Sequence, residues 1–285
     1  MDMKKLVVIL LLATATGRAQ VHGPEKGTLV IVGGAMQDPA IVQRFIELAG
    51  GPDAPIVIIP TAGEADDDYH QYWSGLKQWR ENGARNLTVL HTRDRKVADS
   101  EAFVKPIREA RGVFFAGGRQ WRLADSYLDT RTHKELAALL NRGGVIGGSS
   151  AGASILSSFM VRGDTKSNEK MIGDHTVGLG FLKNAAIDQH LLRRNRQFDM
   201  LEVIEKHPAL LGIGIDEDTA IVVDGDQFDV MGKSYVVVYS DKPVAGKDGR
   251  FYFMGAGDRF DMKERKATRQ GTQWRPLQGV RPPGL

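Results

Sequence analysis

The sequence predicts an α/β protein with a mostly parallel sheet and helices on both faces. Three observations carry that expectation. Short continuous apolar runs recur, several of them closed by glycine, and stretches of helical periodicity separate them. The fifth run, Val145 and Ile146, feeds the small-residue turn Gly148-Ser149-Ser150-Ala151-Gly152. Runs without polar alternation belong to strands covered on both sides, as parallel sheets require.

Taken in order, the chain opens with Lys4 and Lys5, an apolar run over 6–13 and then Gly17-Arg18-Ala19. That order has the charge, the apolar length and the small residues of a secretory signal cut after Ala19. The expectation is therefore an exported protein, periplasmic or secreted. No later segment has the ~20 apolar residues of a transmembrane helix, so no membrane association is expected after cleavage. Cysteine is absent, which excludes disulfides and thiol catalysis. A net charge of +3, from 38 Lys+Arg against 35 Asp+Glu, argues against nucleic acid as a partner.

Residues 20–262 read as one α/β domain. The first strand covers 28–32 and ends at Gly33-Gly34, with a helix through Ile41, Phe45 and Leu48 after it. A second strand lies at 55–60, followed by Glu64, Asp66, Asp67 and Asp68 as the acidic start of a helix. A third lies at 87–90. Helical spacing at Phe103, Ile107 and Ala110 leads into the fourth, 112–116, which ends in the turn Gly117-Gly118-Arg119-Gln120. An amphipathic stretch through Trp121 and Leu128 and a helix over about 132–141 deliver the chain to the serine turn. Residues 164–177 read as a loop and 191–206 as a helix. Short apolar runs from 210 to 253 read as an antiparallel β extension of the sheet. The basic residues 263–285 read as a solvated, partly disordered tail.

In a G-x-S-x-G turn between strand and helix the central serine is held in a strained conformation, its hydroxyl clear of the sheet. Ser150 occupies that position. A nucleophilic hydroxyl needs a base, and the base an orienting carboxylate. Among seven histidines, His190 has the most suggestive company, Asp188-Gln189-His190 followed by Arg193, Arg194 and Arg196. His22, His70, His133 and His207 read as structural, whereas His91 and His175 stay open as loop residues near a site. The carboxylate is expected among Asp216, Glu217 and Asp218, between two buried runs. No H-E-x-x-H or paired-histidine spacing is present, so no metal and no cofactor are expected.

The serine turn, the Gly117-Gly118-Arg119-Gln120 turn, the Asp188-Gln189-His190 segment and Gly212 to Ala220, in that order, resemble the cyanophycinases and their relatives in peptidase family S51, which includes dipeptidase E. The resemblance spans about residues 27–260. It implies a fold of the class I glutamine amidotransferase-like, flavodoxin type, with Ser150 as nucleophile, His190 as general base and acid, and Glu217 as orienting carboxylate. It further implies oxyanion donors at the N–H groups of Gly118 and Ala151. Gln120, Asp188, Gln189, Arg194 and Arg196 match positions lining the substrate cleft, the substrate being a peptide or cyanophycin-like polymer. A homodimer is also implied. Two residues depart from the pattern: Arg119 replaces an acid and Asp199 an arginine, which leaves the substrate open between cyanophycin and other aspartyl peptides. The competing expectation is a non-catalytic periplasmic binding protein for acidic peptides or amino acids.

Overall fold

The structure is a computed structural model that describes residues 22–64, 69–70, 73–244 and 249–269. The first strand, β1 (Thr28–Val32), shows why the sheet is covered twice. Leu29 and Ile31 point to one face and Val30 and Val32 to the other, and all four are buried. The chain then alternates: α1 (Pro39–Ala49), β2 (Ile56–Ile59), α2 (Lys77–Glu81), β3 (Leu87–Val89), α3 (Arg95–Ala98), α4 (Glu101–Glu109) and β4 (Gly112–Phe115). It continues through α5 (Gln120–Tyr127), α6 (Arg131–Asn141), β5 (Val145–Ser149), α7 (Ala151–Ser154), β6 (Ser157–Phe159) and β7 (Leu182–Gln189). The last part comprises α8 (Met200–Lys206), β8 (Leu211–Ile215), β9 (Thr219–Asp224), β10 (Gln227–Gly232), β11 (Val236–Tyr239), β12 (Phe251–Met254), β13 (Arg259–Asp261) and β14 (Lys266–Thr268).

Among the described residues these strands form two sheets. The larger has the order β14-β13-β10-β9-β1-β5-β4-β2-β3, in which β1, β5, β4, β2 and β3 pair in parallel and the rest antiparallel. Helices cover both faces, as expected. Leu29, Ile31, Val113 and Phe115 pack on α4, α5 and α6 through Val104, Leu123 and Leu139. Val30, Ile58 and Phe114 pack on α1 and α2 through Phe45 and Trp79.

The antiparallel extension is divided, which corrects the expected single sheet. β9, β10, β13 and β14 prolong the main sheet, whereas β8, β11 and β12 join β6 and β7 in a second one, with β6, β7 and β8 parallel. Residues 182–189 form a strand, and the helix expected over 191–206 begins only at Met200. His190 and Asn195 have φ of 53° and 56°, and the distant Asp216 accepts the N–H groups of Leu192 and Arg193, so 190–196 is a pinned turn. Residues 263–269, expected as the start of the tail, complete a turn and the edge strand β14. Residues 1–21, 65–68 and 270–285 lie outside the described residues, and with them the signal, the acidic run Asp66 to Asp68 and the rest of the tail. No described helix is long and apolar enough to cross a membrane.

Candidate active site

The site lies beyond the carboxyl ends of β1, β4 and β5, where open parallel sheets gather their ligands. At the end of β5, Ser150 has φ 56° and ψ −114°, a sparsely populated conformation of the kind that costs on the order of 1–3 kcal/mol. Its neighbours must be small. A Cβ on Gly148 would stand 2.1 Å from the Gly152 carbonyl oxygen, and one on Gly152 would stand 2.1 Å from that of Phe115. The Ser150 N–H donates to the Val32 carbonyl at 3.1 Å, so β1 holds the strained residue in place.

Facing it, the His190 N–H donates to the Gly33 carbonyl at 2.8 Å. The imidazole is buried, with Nε2 2.8 Å from Ser150 Oγ and Nδ1 2.7 Å from Glu217 Oε1. Hydroxyl, imidazole and carboxylate therefore stand in one hydrogen-bonded line. Burial pushes the His190 pKa below its ordinary value, the Glu217 hydrogen bond opposes that shift, and the charges of Arg194 and Arg196 reinforce it. The neutral form is favoured, as a proton acceptor requires.

The three acids at 216–218 do different work. Asp216, expected only as a possible partner of the imidazole, instead pins the histidine turn and accepts the Ser234 hydroxyl at 2.6 Å. Asp218 accepts the N–H groups of Gln37 and Asp38, fixing the loop after β1. Glu217 is left for His190.

Gly118 (φ 143°) presses on Ala62, whose carbonyl oxygen would be 2.0 Å from an added Cβ. A Cβ on its neighbour Gly117 would lie 3.7 Å from Ser150 Oγ, which puts this turn beside the hydroxyl. Neither the Gly118 nor the Ala151 N–H has a hydrogen-bond acceptor among the described residues.

The residues expected along the cleft divide sharply. Arg194 is exposed, but Gln120, Asp188, Gln189 and Arg196 are buried and bonded within the protein. Gln120 Nε2 donates to the Val161 carbonyl, and Arg196 donates to Gln189 Oε1 at 3.0 Å. Both Asp188 carboxylate oxygens accept from Arg162, at 2.7 and 2.9 Å, and Arg162 also donates to Asp199 at 2.6 Å. Asp188 is fully buried and its charge serves Arg162, so it does not line the cleft, a correction to the sequence expectation. Asp199, the inverted charge, is the second anion on the same guanidinium. Arg119 donates to the Asp164 carbonyl at 2.6 Å.

Five of the other histidines have partners of their own. His22 bonds the Lys183 carbonyl, His133 that of Leu179, and His207 packs on Phe159. His91 bonds Thr61, and His175 lies between Asp125 and Asp174, at 2.9 Å from each. Sequence reasoning missed Gly34 and Arg162. The Gly33-Gly34 pair at the end of β1 was a usable signal for the first; a lone arginine in a short strand-to-loop passage was none for the second.

A doubly covered parallel sheet with a strained elbow serine, an imidazole and a carboxylate in line is the arrangement of the α/β serine hydrolases. Comparison with known proteins narrows the class. The model of Peptidase family S51 matches residues 29–231. A cyanophycinase of Geminocystis herdmanii is 32% identical over 259 residues, covering 84% of this chain and 94% of the relative. One from Synechococcus elongatus is 31% identical over 231 residues, covering 79% and 71%. The fold is shared with a peptidase from an acI-B1 actinobacterium (24% identity, TM-score 0.64, 84% of this chain and 98% of that one). It is also shared with a putative peptidase E protein from Listeria monocytogenes (18%, 0.52, 73% and 99%). The chain belongs to peptidase family S51 and is a serine-type peptidase of the cyanophycinase-like kind. Of the two classes left by the sequence, the enzyme stands and the binding protein falls away.

Proposed function

We propose that the chain is an exported peptidase that hydrolyses aspartyl or β-aspartyl (isopeptide) bonds through an acyl-enzyme on Ser150. The observation that carries this reading is the unbroken line from Ser150 Oγ through His190 to Glu217, at 2.8 and 2.7 Å. His190 Nε2 takes the hydroxyl proton as Oγ attacks the substrate carbonyl carbon, and the oxyanion receives hydrogen bonds from the Gly118 and Ala151 N–H groups. The protonated imidazole gives its proton to the amine nitrogen as the C–N bond breaks. Water then gives a proton to His190 and attacks the ester; Oγ leaves and takes the proton back. Glu217 orients the ring and stabilises its cation.

The aspartyl preference is supported by the cyanophycinase relatives and by Arg194, an exposed cation of the histidine turn and a partner for a substrate carboxylate. Export rests on residues 1–19, and a homodimer on family resemblance. Incubating the mature chain with cyanophycin, β-aspartyl-arginine and a panel of aspartyl dipeptides, with products read by mass, tests the bond cleaved. Release of free aspartate or of aspartyl dipeptides is expected. Cleavage confined to bonds without aspartate would overturn the assignment.

A further inference from the structure

A cavity of about 410 Å³ opens next to the nucleophile, with Gly117 and Ser149 in its wall. That volume falls within the ~300–1,000 Å³ of small-molecule sites. Met36, Ile58, Trp79 and Phe114, each no more than 7% exposed, form its buried apolar floor. Trp73 adds a half-buried ring, and Ser74, Lys77, Gln78 and Glu81 give the wall polar groups. The Trp79 and Phe114 rings meet at 4.9 Å, and Phe45 packs edge-on behind both, so the floor is braced. Among the described residues, the charged ones lining the cavity, Lys77 and Glu81, form an exposed pair 3.7 Å apart and offset each other. Arg193 and Arg194, the exposed cations of the histidine turn, are not part of its wall.

We propose that this cavity is a specificity subsite for the large apolar, above all aromatic, side chain of the residue joined to the aspartyl group. The inference rests on the function proposed above. Two unlike surfaces meet at Ser150, a cationic one beside His190 and one with an aromatic floor beyond Gly117. Gly117 is the passage between them, since its missing Cβ would lie 3.3 Å from Ser150 Cβ.

Binding of β-aspartyl-phenylalanine and β-aspartyl-glycine to the Ser150→Ala variant, followed by calorimetry, separates this subsite from the chemistry. The phenylalanine peptide should bind at least about tenfold more tightly, within the range one apolar pocket can discriminate. Filling the cavity from either wall, with Gln78→Trp or Met36→Trp, should abolish that preference while leaving the glycine peptide's affinity unchanged. Equal affinities, or a preference that survives both fillings, would overturn the subsite. A preference that holds in binding while the parent enzyme cleaves neither dipeptide would leave the subsite standing and count against the proposed reaction.

Discussion

Gly34 and His190 lie so close that no side chain fits between them: a Cβ on Gly34 would stand 2.3 Å from His190 Cε1 and 2.6 Å from Nδ1. Gly34 also has φ 138°, which a side chain would strain. The imidazole is thus seated against bare backbone, with Ser150 and Glu217 at its two nitrogens. Misplacement of a catalytic group by ~1 Å can cost about 100-fold. Gly34→Ala should therefore lower kcat/KM by about 100-fold, measured on whichever aspartyl dipeptide is cleaved best. Parental activity in a folded Gly34→Ala variant would show that the contact does not position the ring.

Glu217 is the second support of the ring. Replacing it with glutamine keeps the shape but removes the charge that favours the imidazolium, and loss of such a carboxylate can cost about 10⁴-fold in kcat. Glu217→Gln should reduce kcat by about 10²–10⁴-fold with KM near the parental value. A change confined to KM would place Glu217 in binding.

The pH profile follows from the lowered His190 pKa. Burial, reinforced by Arg194 and Arg196, keeps the ring neutral at pH values where a free imidazole, with a pKa of about 6.5, already takes a proton. The acid limb of kcat/KM should lie below pH 6.5, and Arg194→Ala should move it upward. The same shift acts on stability. Above the unfolded value it contributes nothing; as pH falls from about 6.5 through the folded value, the unfolded chain binds a proton that the folded one refuses, and stability is lost. An acid limb at or above 6.5 in the parent, or one that Arg194→Ala does not move, contradicts the account.

Arg162 holds Asp188 and Asp199 together from a fully buried position. Removing one partner of a buried ion pair typically costs about 3–5 kcal/mol. Asp188→Ala should therefore lower stability in denaturant unfolding, by no more than that amount because Asp199 still pairs with Arg162. Asp199→Arg, which restores the charge of the cyanophycinase pattern, would set two guanidinium groups against each other, and is expected to destabilise the protein before it alters specificity. Full stability of both variants would mean that Arg162 repacks freely.

The legible parts of this fold were those that a local pattern carries. Leu29 to Val32 and Val113 to Phe115 announced covered strands, and Gly148 and Gly152 announced the elbow, because close backbone approach admits little else. That Ser150, His190 and Glu217 would stand together was readable through motif order. What was hidden depended on partners distant in sequence. Ala185, Ala186 and Ile187 form part of a strand only because β6 and β8 flank them. Asp188 beside a histidine looked like a substrate ligand, yet Arg162, 26 residues earlier, takes its charge. Asp216 and Asp218 looked equivalent to Glu217 until the N–H groups they accept were placed.

The central claim is that Ser150 is the nucleophile, and the most direct test is turnover of β-aspartyl dipeptides by Ser150→Ala beside the parent enzyme, with thermal unfolding of both. Loss of turnover to background at an unchanged Tm is the expected result. Undiminished hydrolysis by the variant would contradict it.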